Sequence, residues 1–203
     1  MIKHVSLDHD WYYRFRIHTL KSKILCNEFP SLTDYLENVF TNCPNEYFKN
    51  NKNRGSKLNF KLNLSIHNLK AHEVCELTKD ALKIDTEKRE HTKVELHMLE
   101  KDTKTIASEV PVWLMPEELE EFRDIDIKTV LTGHIDILRI DDGKIWIWDY
   151  KPNSSNERYA STQVYFYALM LSKRTAIPIE NFRCGYFDSE NAFVFMPKIE
   201  QVL

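Results

Sequence analysis

The dipeptide Asp142-Gly143 separates two runs of β-formers, TVLTGHIDILRI (residues 129–140) and KIWIWDYK (residues 144–151), and no other feature constrains the chain as tightly. Asp-Gly at such a place favours a two-residue turn with positive φ at both central positions, so the runs form an antiparallel hairpin in one register. With the turn at Asp142 and Gly143, Asp141 pairs with Lys144. Counting outward, Asp136 falls opposite Asp149 and His134 opposite Lys151.

Side chains alternate faces along a strand. Asp136 therefore shares its face with Leu138, Ile140, Ile145, Ile147, Asp149 and Lys151, a surface apolar near the turn and acidic at the far end. Carboxylates directly opposite each other repel, and apolar neighbours raise the cost of their charge. A divalent cation between them removes the conflict. Oxygen donors that leave room for water suit Mg²⁺ or Mn²⁺. Lys151 lies two residues beyond Asp149 on that face, where an ammonium group can orient or deprotonate a water. The cation would neutralise a phosphate oxygen, so the set fits phosphodiester hydrolysis.

The surroundings predict an α/β fold with a central mixed sheet flanked by helices. TIASEVPVWLM (residues 105–115) reads as a strand, NERYASTQVYFYALMLSKRT as a long amphipathic helix, and NFRCGYFD and NAFVFMP as closing strands. Upstream, residues 10–54 read as short aromatic-rich helical pieces. Residues 58–66 alternate like a strand or lead into a helix, and residues 67–84 carry apolar positions at helical spacing. Residues 85–104 are charged and expected as a loop or an exposed helix, and PEELEEFRD (residues 116–124) as a helical turn or loop. An N-terminal helical region over 1–60 that touches substrate and a core over 61–203 complete the expectation.

Several classes are disfavoured. The four glycines form neither GxGxxG nor GxxxxGK, against dinucleotide binding and P-loop hydrolysis. The four cysteines include no CxxC pair, against a zinc knuckle. No apolar run reaches membrane-spanning length, and the start MIKHVSLDHDWYYRF has no apolar signal core, so a cytoplasmic protein without membrane partners is expected. Net charge is −3, but it is polarised. Residues 1–60 carry nine Lys and Arg against six Asp and Glu, and residues 70–126 carry nine against sixteen. A basic groove would have to come from the N-terminal third.

GHIDIL, then WDYKP, then a helix with Gln163 and Tyr167 resembles the RecB-like group of PD-(D/E)XK nucleases, which includes CRISPR-adaptation nucleases. The match covers roughly residues 105–190. The resemblance implies a restriction-endonuclease-like core and three motifs: Gly-x-x-Asp at Gly133 to Asp136, Asp-x-Lys at Asp149 and Lys151, and Gln-x-x-x-Tyr at Gln163 and Tyr167. It further implies a glutamate from SEVPVW, Glu109, as ligand or water partner. It implies a metal-binding histidine on an early helix, for which LKAHEVCEL offers His72 with His67 as competitor, although Asn68 stands where the family has glycine. The Tyr150 carbonyl joins the metal set, and Gln163 and Tyr167 bind substrate or brace the Asp-x-Lys strand. DNA that is single-stranded or has free ends is the implied substrate, in recombination, repair or replication. Helicase motifs are lacking, so a motor or recombination protein would be a separate partner. Many relatives hold an iron–sulfur cluster by cysteines grouped near the C-terminus. Only Cys184 lies there, so no cluster is expected. A silent nucleic-acid-binding protein of the same fold is the alternative.

Overall fold

The structure, a computed structural model, describes residues 1–49, 52–86, 88–122 and 127–198. Its frame is one eight-stranded sheet among the described residues. The strands are β1 (Ile2–Asp8), β2 (Tyr12–His18), β3 (His67–Lys70), β4 (Thr105–Leu114), β5 (Leu131–Asp141), β6 (Lys144–Tyr150), β7 (Phe182–Phe187) and β8 (Asn191–Phe195). Their order is β1-β2-β4-β5-β6-β7-β8-β3. Every neighbouring pair is antiparallel except β6–β7, which is parallel. A parallel neighbour requires a crossover, and helix α5 (Ala160–Thr175) makes it. The remaining helices are α1 (Thr19–Leu25), α2 (Pro30–Asn42), α3 (Glu73–Leu82) and α4 (Glu90–Lys101).

Two apolar layers sandwich the sheet. Leu138, Ile140, Ile145 and Ile147 join the core under α2 and α5. Ile137, Trp148 and Tyr150 join the core under α3 and α4. The alternation along β5 and β6 thus feeds both layers. Each fully buried Leu or Ile contributes about 1.5–3 kcal/mol, so a slipped register would forfeit several such terms. The hairpin pairs as the turn predicts: Asp141↔Lys144, Ile140↔Ile145, and onward to Ile137↔Trp148. Asp142 and Gly143 have φ of 49° and 63°.

Several expectations are corrected. Residues 12–18, expected within helical pieces, form β2, because Phe15 and Ile17 alternate into the core while Tyr12 and Arg14 stay out. Helix does follow, in α1 and α2. The alternating stretch 58–66 pairs with no strand; Phe60, Leu62 and Leu64 pack on the core as irregular chain. The helix expected from residue 67 begins at Glu73, and 67–70 instead form the edge strand β3. Residues 90–101 are helical but not exposed, since Val94, Glu95, Met98 and Leu99 are buried. Helix α5 is buried on nearly every side rather than amphipathic. The expectation for PEELEEFRD holds as a 3₁₀ segment over Pro116–Phe122, and its last two residues lie outside the described residues. Among the described residues, no helix is long and apolar enough to cross a membrane.

Candidate active site

One step beyond the Ile137–Trp148 pair, β5 and β6 bring Asp136 and Asp149 to the open end of the hairpin. Asp136 is 8% exposed and Asp149 1%. Asp136 Oδ2 accepts from the Tyr150 backbone N–H at 2.9 Å and from His91 Nε2 at 2.9 Å. Asp149 Oδ1 accepts from Gln163 Nε2 at 2.8 Å. Lys151 Nζ lies 2.8 Å from Asp149 Oδ2, a charge contact, and that oxygen accepts no hydrogen bond among the described residues.

Two more carboxyls complete the group. Glu109 on β4 sits between Ser108, paired with Ile137, and Val110, paired with Ile135, so it lies across from Asp136. Its φ is 54°, a left-handed conformation that non-glycine residues adopt only where the surroundings enforce it. Its Oε2 is out of solvent, and its carboxyl shares a hydrogen bond with the Glu95 carboxyl. Glu95 on α4, 2% exposed, is held by Arg16 of β2 at 2.9 Å.

The electrostatics follow from this crowding. Burial opposes ionisation of Asp136, but the charge and hydrogen bond of His91, the charge of Lys151 and the Tyr150 N–H outweigh it and hold the pKa down. Burial and then the Asp136 charge push Asp149 up to about 7. Burial likewise raises Glu95 to about 7, with Asp136 adding to it, and raises Glu109 well above the carboxylate range, with Glu95 and Asp136 adding to it. His91 is drawn up to about 9, because Asp136 overcomes its partial burial. Burial disfavours the Lys151 charge, yet Asp149 and Asp136 keep its pKa raised.

Gln163 and Tyr167, one turn apart on α5, are tied together at 3.1 Å, and the Gln163 amide braces Asp149. The Tyr167 ring lies over Gly133. A Cβ there would collide with the ring, which gives the glycine of Gly-x-x-Asp its physical reason.

The structure therefore groups Asp136, Asp149, Lys151, Glu109, Gln163 and Tyr167, with Tyr150 contributing its N–H. His72 stands elsewhere. It caps α3 by accepting from Val74 N, and its ring packs 5.2 Å from that of Trp148. His67 lies on the exposed edge strand β3. The helix that reaches the acids is α4, so the histidine beside Asp136 is His91. Sequence reasoning missed His91 and Glu95 because residues 85–104 read as a solvated segment. The signal was their four-residue spacing on one helix face.

The donor set fits a hard divalent cation. Oxygen ligands predominate, and the carboxyls of Asp149, Glu95 and Glu109 are crowded and buried enough to resist ionisation, a cost that a bound cation would offset. Among the described residues no three His, Cys, Asp or Glu side chains are already spaced to hold an ion. His91 and Lys151 engage Asp136 and Asp149 instead.

A cleft of about 1230 Å³ opens over the acids. Its floor includes Asp136, Asp149 and Lys151, and one wall comes from the N-terminal segment through Tyr13, Arg14 and Arg54. In comparisons with known proteins, the family model of the PD-(D/E)XK nuclease superfamily matches residues 63–202. No curated protein and no solved structure matches the chain.

Proposed function

The chain belongs to the PD-(D/E)XK nuclease superfamily, and from that premise we propose that it is a DNA nuclease that uses Mg²⁺ or Mn²⁺ and acts on single strands or free ends. Such substrates arise in recombination, repair and replication, and a helicase or recombination protein is the partner that would present them. In this reading residues 61–203 carry the chemistry and residues 1–60 meet the substrate.

The observation that carries the proposal is the pair Asp136 and Asp149, buried at the same end of β5 and β6 with Lys151 2.8 Å from the Asp149 carboxylate. A purely structural site has no reason to keep that arrangement. Asp136, Asp149, Glu109, the Tyr150 carbonyl and His91 (in the place expected for His72) would hold the cation. When bound, the cation supplies charge neutralisation at a phosphate oxygen and makes water more acidic.

Lys151 Nζ orients the water that attacks phosphorus as one ester oxygen departs. Gln163 fixes the rotamer of Asp149, and Tyr167 fixes Gln163. Glu95 and Glu109 share the pocket with Asp136 and shape its charge.

The test is cleavage of labelled single- and double-stranded DNA with Mg²⁺, Mn²⁺ or EDTA. Metal-dependent cleavage is expected, and Lys151→Ala should slow it by about 10²-fold or more with metal affinity nearly unchanged. If the wild type binds DNA yet cuts it with neither metal, the silent binding protein becomes the better reading.

A further inference from the structure

We propose that the turn joining β1 to β2 is a stacking platform on which Trp11 and Tyr12 receive unpaired bases of the strand whose backbone enters the cleft. The proposal rests on the nuclease reading above and adds to it which part of the nucleic acid the N-terminal segment grips. That segment lies outside the 63–202 family match.

Exposure is the first observation. Trp11 is 72% and Tyr12 88% exposed, whereas Trp113 and Trp148 are buried. Adjacent uncovered aromatics are costly in water and mark a surface that meets something. Position is the second. Both side chains line the same cleft as Asp136, Asp149 and Lys151.

Rigidity is the third. His9 N donates to Trp11 O at 3.1 Å across the turn, and Asp10 takes a φ of 67°. Beneath them His9 stacks on Phe48 with ring centroids 3.9 Å apart. Its Nε2 donates to Asn45 Oδ1 at 2.8 Å, which leaves Nδ1 to accept from His134 Nε2 at 2.7 Å. Tyr13 stacks on His134 at 3.7 Å, and Arg54 donates to His9 O. The turn is thereby fastened to β5 two residues from Asp136, and little ordering remains to be done on binding.

Charge is the fourth. Arg14 and Arg89 also line the cleft, are exposed, and form no ion pair among the described residues. Guanidinium groups beside aromatic faces are the chemistry that takes a phosphodiester backbone and its bases together. The cleft also exceeds the roughly 300–1,000 Å³ of a small-molecule site. Inside a duplex, base faces are already stacked on each other, so the platform recognises unpaired nucleotides.

The experiment measures binding of fluorescein-labelled oligo(dT) and of a blunt duplex of equal length in EDTA, where nothing is cut. Trp11→Ala with Tyr12→Ala should weaken oligo(dT) binding roughly 10- to 100-fold and duplex binding less than about twofold. Trp11→Phe with Tyr12→Phe keeps the π-faces and should restore most of the affinity. Leu20→Ala, an exposed apolar control outside the cleft, should behave as wild type on both probes. Unchanged oligo(dT) affinity in the double alanine variant, or equal losses on both probes, would overturn the platform. Cleavage of the labelled DNA by the wild type with Mg²⁺ or Mn²⁺ is read separately. If it fails while oligo(dT) affinity still depends on Trp11 and Tyr12, the nuclease reading falls and the platform stands.

Discussion

Two charged centres sit three residues apart on β5, and they are built on opposite principles. Around Arg139 each carboxylate has a cationic donor. Its Nε donates to Asp102 at 2.8 Å and its Nη2 to Glu73 at 2.6 Å. Lys104 bridges Glu73 and Asp141, and Thr105 adds a hydrogen bond to Asp102 at 2.6 Å. Around Asp136 four carboxyls crowd together, and burial and mutual repulsion raise three of them, Asp149, Glu95 and Glu109. A buried charge network that satisfies itself is a fastening for α3 and the end of α4 against the sheet. One that does not is organised for something that arrives from outside.

The largest effect expected from this contrast is at Arg139. Arg139→Ala strands the buried Asp102 carboxylate and should lower unfolding stability by about 3–5 kcal/mol, read from urea denaturation. A loss below about 1 kcal/mol would put the two centres in one class. The opposite sign is expected at the second centre. Asp149→Asn removes a charge that its surroundings resist, while Oδ1 can still accept from Gln163. It should stabilise the metal-free protein by roughly 1–2 kcal/mol and abolish metal-dependent cleavage. Millimolar Mg²⁺ or Mn²⁺ should raise the melting temperature of the wild type but leave that of Asp149→Asn nearly unchanged. Destabilisation by Asp149→Asn would mean that the acids are matched after all.

The smallest effect is a pH slope. Burial opposes the Glu73 charge, but Lys104 and Arg139 outweigh it and draw the pKa down to about 2. A carboxylate depressed on folding contributes stability that is present above its unfolded value near 4.5 and is lost as pH falls through 2. Glu73 is partly exposed, so screening keeps the contribution small. Glu73→Gln should flatten the decline in urea midpoint between pH about 4.5 and 2. An unchanged slope would show that Glu73 adds nothing to the fastening.

What the sequence revealed and what it hid follows from how local each determinant is. The Asp142-Gly143 turn sets its own φ values, and the four aliphatic residues on one face of β5 and β6 set the register, so the relation of Asp136 to Asp149 was legible. Helix α4 was not, because its buried face includes Glu95, whose partner Arg16 is 79 residues away. No local pattern distinguishes that glutamate from a solvated one. His91 was hidden with it, while the His-Glu context that points to His72 caps α3 instead. Strand β2 was misread because its aromatic and arginine residues outnumber its aliphatic ones. The alternation of Phe15 and Ile17 was present in the sequence, but it counts only once β4 is available to pair. Residues 58–66 show the converse, a strand period with no partner edge to receive it.

The two-residue length of the turn at Asp142 and Gly143 ties the far end of the ribbon to its loop. An added residue that kept the turn at two residues would shift the partner of every residue on β6 and rotate Asp149 to the opposite layer, five pairs from the lesion. Selection that keeps the acids must therefore also keep the tight turn, although no atom of the loop takes part in the chemistry.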